Sequence, residues 1–116
     1  MTMKGLTVRW SLEHAPKDAT QTLENYVASA SHARFSGMAG LRFKTWRMLP
    51  GEWFEGCYVF ATVSDRQNFQ DTFSAGAATS PVSEIVGSGP IFIEPCNVLA
   101  IAEGGEGFVS SPSYDS

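Results

Sequence analysis

The chain has 116 residues, 43% of them apolar, and a formal charge of -4. That is a single domain with enough apolar side chain to build a core, which excludes a disordered or low-complexity body. An acidic balance without a basic footprint argues against a nucleic-acid partner, and no apolar run reaches the length of a membrane span.

Residues 6 to 12, LTVRWSL, alternate with period two and predict a first strand, with Leu6, Val8, Trp10 and Leu12 on one face. Beyond Pro16, Asp18 and Gln21 stand at capping-box spacing and open a helix predicted over about 19–34. Its apolar stripe is Leu23, Tyr26, Val27 and Ala30. After Gly37 and Gly40 comes GLRFKTWRML, a second strand with an odd composition for an acidic protein. Strict alternation puts Leu41, Phe43, Thr45 and Arg47 on one face, and Arg42, Lys44, Trp46 and Met48 on the other. Pro50-Gly51 is a turn signal, and a third strand is expected over about 53–63. Ser64 and Gln67 form a second capping-box pattern, opening a helix that turns Phe69 and Phe73 inward at i, i+4. Ser80-Pro81 starts a brief third helix ending near Gly87. A last strand is predicted over about 90–102, with Pro95 marking a bulge or an edge. The domain is therefore expected to span 1–102, and EGGEGFVSSPSYDS, residues 103–116, to form a flexible tail.

Strand, helix, strand, strand, helix, strand is the order of a ferredoxin-like α+β fold, whose antiparallel sheet runs 4-1-3-2 with helices on one face. Cys57 and Cys96 then lie two strand spacings apart, roughly 10 Å, too far for a disulfide. Two thiols inside apolar runs, and a start without the apolar segment of a signal peptide, point to a cytoplasmic protein. Both faces of the third and fourth strands are apolar. Trp53, Cys57 and Val59 oppose Phe54, Tyr58 and Phe60, while Ile91, Ile93 and Leu99 oppose Phe92, Cys96 and Val98. A second copy packed on the sheet would cover the spare face, so a homodimer is expected.

In the run KTWRMLPGEWFEGCYVFATVSD, Lys44 and Trp46 form K-x-W, and Gly56, Tyr58 and Phe60 form G-x-Y-x-F. Asp65 follows at the next helix start. This hairpin resembles that of the YdhR family, small dimeric α+β barrel proteins related to the antibiotic-biosynthesis monooxygenases. The likeness is strongest over about residues 40–75. It implies a dimeric barrel with a hydrophobic cavity in each subunit, between sheet and helices. It also implies a cofactor-independent monooxygenase acting on a hydrophobic aromatic or polycyclic compound. Related barrel enzymes oxidise polycyclic phenols with dioxygen and use no flavin, haem or metal. Relatives that degrade haem carry an asparagine on the first strand and a histidine on the second major helix. This chain offers Thr7, Arg9 and Ser11 on that strand and no histidine on that helix.

The candidate catalytic residues are Trp46, Tyr58, Lys44 and His32. The candidate substrate-binding residues are Trp10, Arg42, Phe60, Phe69 and Phe73. A cation beside aromatic walls can hold an ionised phenol or enolate. On the plainer reading Trp46 is core and Lys44 snorkels at an edge. His32 is either the base for proton abstraction or a solvated group at a helix end; His14 reads as loop. No His, Cys, Asp or Glu cluster has metal-ligand spacing, so no metal is expected, and the resemblance implies that no other cofactor is used. EGCYVF differs from the RNA-stacking signature of a ferredoxin-like sheet, with Glu55 at its basic position and Cys57 at an aromatic one. Two other functions fit the same fold: a non-catalytic binding protein for an apolar metabolite, and an isomerase or cyclase acting on enolisable ketones.

Overall fold

Alternation in the first strand is real. Leu6, Val8 and Trp10 are buried on one side of β1 (Gly5–Ser11), and Thr7 and Arg9 lie on the other. The computed structural model describes residues 2–114. It continues with helices α1 (Ala19–Tyr26) and α2 (His32–Phe35), strands β2 (Leu41–Leu49) and β3 (Trp53–Phe60), helices α3 (Val63–Ala75) and α4 (Pro81–Val86), and strand β4 (Phe92–Cys96). The strands form one antiparallel sheet in the order β2-β3-β1-β4, so β1 lies between β3 and β4 as expected. Leu6, Val8, Trp10, Phe54, Tyr58 and Phe60 from the sheet share one core with Leu23, Phe35, Val82 and Val86 from the helices. All the helices therefore cover the same face of an α+β fold. Among the described residues no helix is long and apolar enough to cross a membrane.

Several local details depart from the sequence pattern. A π-helical turn, Val27–Ser31, joins α1 to α2 and inserts one residue into the helical register. Ala30, expected on the apolar stripe, is exposed, and Ser31 is buried in its place. Asp18 precedes α1 without a side-chain cap. For α3 the cap is Thr62, two residues before the expected Ser64, and its hydroxyl accepts from the Asp65 amide at 3.0 Å. α4 ends as expected at Gly87, which takes a left-handed conformation (φ 86°). β3 stops at Phe60, because Thr62 already caps α3, which begins at Val63. β4 stops at Cys96, opposite Gly5, the first residue of β1. A strand to residue 102 would have no neighbour there, and Leu99 is 93% exposed. The segment after β4 has no regular structure, but it touches the domain: Phe108 stacks on Phe43 with centroids 5.6 Å apart.

The face of the sheet away from the helices is less apolar at its centre than the sequence pattern implies. Glu55, 1% exposed, receives hydrogen bonds from Arg9 Nε at 2.9 Å and from Arg47 Nε at 2.7 Å. Burial is the largest influence on its carboxyl and pushes the pKa up, but the two guanidinium groups together outweigh it and hold the pKa below the usual carboxylate value. The Arg9 guanidinium also lies 4.1 Å from the Trp53 ring centroid. Half-buried Trp53 and Phe92 flank this group, and half-buried Phe43 and Val59 and the free thiols of Cys57 and Cys96 share the face.

Candidate functional site

Between the sheet and the helices lies a cavity of about 220 Å³. Alternation along β2 and β3 delivers its floor. Lys44 pairs with Tyr58 and Trp46 pairs with Gly56, so all four positions face the helices. Phe35 from α2, Phe69 and Phe73 from α3, and Val82 from α4 close it from the other side. Two indoles are pinned as walls. Trp46 Nε1 donates to the buried Ser31 hydroxyl at 3.0 Å, and Trp10 Nε1 donates to Ser83 Oγ at 2.9 Å. The first of these bonds needs the π turn, which rotates Ser31 into the core.

Lys44 is the group that stands out. Its Nζ lies 3.6 Å from the ring centroid of Phe35, 4.3 Å from that of Tyr58 and 4.6 Å from that of Trp46. Among the described residues the ion pairs are those of Glu55 with Arg9 and Arg47, so no carboxylate meets this amine. Desolvation by burial, followed by the charge of nearby Arg34, lowers its pKa to about 6. The amine is then mostly neutral at pH 7. Burial also pushes the Tyr58 phenol well above its ordinary range, so it keeps its proton and remains a donor. Gly56 makes this arrangement possible. A Cβ there would stand 3.1 Å from Lys44 Cε and 3.2 Å from Tyr58 Cε1. Among the described residues the lining holds Lys44 and Arg34 as charged side chains and contains no Asp, Glu, His or Cys.

Six of the expected site residues meet here: Lys44, Trp46, Tyr58, Trp10, Phe69 and Phe73. Three do not. Phe60 is 2% exposed in the core, stacked on Tyr58 with an interplanar angle of 10°. Arg42 sits at a register irregularity between Leu41 and Phe43, which sends its side chain to solvent and returns Leu41 to the core side. His32 lies outside the cavity. Its ring is 5.9 Å from that of Trp46, and its Nε2 is 3.1 Å from Ser110 Oγ. Sequence reasoning missed Ser31, Arg34 and Phe35: the expected stripe ends at Ala30, and the π turn brings Ser31 and Phe35 to the inner face instead.

No family model matches the chain, and no curated protein matches it. Among solved structures it is similar to the crystal structure of a protein of unknown function from Nitrosomonas europaea. The two are 23% identical, the match covers 87% of this chain and 93% of that one, and the TM-score is 0.58. At that identity the likeness is one of fold.

Proposed function

We propose that the chain is a ferredoxin-like domain that assembles as a dimeric barrel of the YdhR kind and works as a cofactor-independent monooxygenase on a small aromatic compound bearing a phenol or enol. One observation carries this reading: a lysine amine with no carboxylate partner among the described residues faces a cavity walled by aromatic rings. Cavities for drug-sized ligands run to about 300–1,000 Å³. At about 220 Å³ this one suits a substrate of one or two rings rather than an extended polycycle.

Lys44 takes the hydroxyl proton of the substrate. The ammonium formed is stabilised by the three ring faces around it and by the anion it has just generated. Arg34, also on the lining, adds a second positive charge for that anion, and no acidic side chain opposes it. An electron-rich anion of this kind reacts with dioxygen at carbon. An activated methylene becomes a carbonyl, with one oxygen atom retained and the other released as water. The half-buried aromatic rim around Glu55 supports a second copy on the outer face of the sheet, and the free thiols support a reducing, cytoplasmic setting.

The test is dioxygen uptake with one- and two-ring phenols and naphthols, using the native chain and Lys44→Met. Uptake by the native chain and its loss in the variant are expected; equal uptake by both would overturn the assignment. An isomerase is a second reading, because a lysine with a pKa of about 6 serves both proton transfers of an enolisation. Exchange of substrate C–H for solvent deuterium without oxygen uptake would select it. Binding with neither reaction would select a carrier of apolar metabolites.

A further inference from the structure

We propose that Lys44 is a nucleophile as well as a base: its Nζ adds to the carbonyl carbon of a small aromatic aldehyde held in the cavity and closes to an imine. This rests on the cavity being a ligand site, and it owes nothing to oxygen chemistry.

Three features of the geometry carry it. Lys44 reaches the cavity with no carboxylate partner among the described residues, so no ion pair holds it as the ammonium. Phe35, Tyr58 and Trp46 hold Nζ within 3.6–4.6 Å of their ring centroids, which fixes the amine and keeps bulk water from its flanks. The Tyr58 hydroxyl, on a side chain 5% exposed, makes no hydrogen bond with another described residue and overhangs Gly56 together with Lys44 Cε. It is placed to donate to the carbonyl oxygen and then to the hydroxyl of the carbinolamine. A lysine desolvated in an apolar pocket beside a second cation is the usual setting for Schiff-base chemistry, and Arg34 is that second cation.

The step balances without a co-reactant. The nitrogen lone pair forms the C–N bond while the carbonyl π pair moves to oxygen. One amine proton passes to that oxygen to give the carbinolamine. The C–O bond then breaks, the second amine proton leaves with the hydroxyl as water, and a neutral C=N bond remains. No atom is oxidised or reduced. An anionic group on the far side of the ring would meet Arg34, so a carboxylated or phenolic benzaldehyde is the favoured class.

The experiment uses the full chain with benzaldehyde or 4-carboxybenzaldehyde, sodium cyanoborohydride to trap the imine, and intact mass followed by peptide mapping. A single adduct on Lys44 is expected, with a mass gain equal to the aldehyde less one oxygen atom. It should form at least about tenfold faster than adducts on Lys4, Lys17 or the N-terminus. Arg34→Gln should lower the preference for 4-carboxybenzaldehyde over benzaldehyde by several-fold. This surface change keeps the fold and reads the site rather than general lysine reactivity. Label spread evenly over the amines, or an unchanged preference in Arg34→Gln, would overturn the proposal. Trapping without oxygen uptake would leave the imine standing and remove the monooxygenase; uptake without trapping would do the reverse.

Discussion

The two faces of the sheet treat charge in opposite ways. On the outer face Glu55 is buried and receives a guanidinium on each carboxylate oxygen, from Arg9 on one neighbouring strand and Arg47 on the other. On the inner face half-buried Lys44 is set among rings, and among the described residues no carboxylate pairs with it. The first arrangement offsets the cost of desolvation locally and joins β1, β3 and β2 side by side. In the second the cost is left standing, and the cation gives up its proton instead. An unpaired ionisable group kept at the edge of a cavity lowers stability, which is the usual mark of a site shaped for a ligand rather than for the fold.

Breaking the paired side should have the largest effect. Glu55→Ala leaves two guanidinium groups facing each other without their shared carboxylate, and a loss of about 3–4 kcal/mol is expected in urea unfolding. The native chain should also weaken in acid. The Glu55 pKa is lowered on folding, so its contribution is full above the usual carboxylate value and disappears as pH falls through the folded value. Lys44→Met should act in the other direction, stabilising the fold by on the order of 3 kcal/mol at pH 7 while abolishing turnover and aldehyde trapping. Because the folded pKa of Lys44 is about 6 against an ordinary 10.5, the unfolded chain binds the extra proton between those values. Stability of the native chain should therefore rise with pH across that window. The advantage of Lys44→Met should be greatest at and below pH 6 and should fade towards pH 10.5. A flat difference across this range would mean that Lys44 is solvated, and the contrast between the two faces would collapse.

Only the inner side of this contrast was legible in the residues, within limits set by particular elements. Period-two alternation put Lys44 and Trp46 on one face of β2, because a paired strand cannot rotate its side chains independently, but it left open which face the helices cover. The same rule failed two residues earlier, where the irregularity at Arg42 resets the alternation and carries no warning in the sequence. The capping and stripe patterns predict a helix over about 19–34, but not its inner face beyond Val27, since a π turn moves every later residue by one position. Arg34 marks only the end of that helix in the sequence pattern, while His32 is the titratable group it offers as a base. The Glu55 group was overlooked for a simpler reason. Its three members stand far apart in the chain, and only the sheet order brings Arg9, Glu55 and Arg47 into one row. The last strand was drawn too long because LAIA has the composition of a strand, whereas strand length is set by the neighbour, and β1 begins at Gly5.

Smaller changes sharpen the comparison further. Gly56→Ala puts a methyl group against Lys44 Cε and the Tyr58 ring, each within 3.4 Å, and should cost about 1–2 kcal/mol while displacing the amine. Ligand binding and aldehyde trapping should fall more than this loss of stability explains, because the cavity floor is what fills.

The smallest net effect belongs to the pair that positions Trp46. Ser31→Ala leaves the indole N–H without its acceptor, and Trp46→Phe leaves a hydroxyl that is 2% exposed without its donor; each should cost about 1–2 kcal/mol. The double variant removes both polar groups together, so it should cost clearly less than the two single losses added, a coupling of about 1 kcal/mol in a double-mutant cycle. The same cycle on Arg9 and Glu55 should couple more strongly, because there the group left behind carries a full charge. If the Ser31–Trp46 coupling were the larger, the π turn would hold the fold rather than tune the cavity, and Trp46 would belong with Glu55 on the structural side of the comparison.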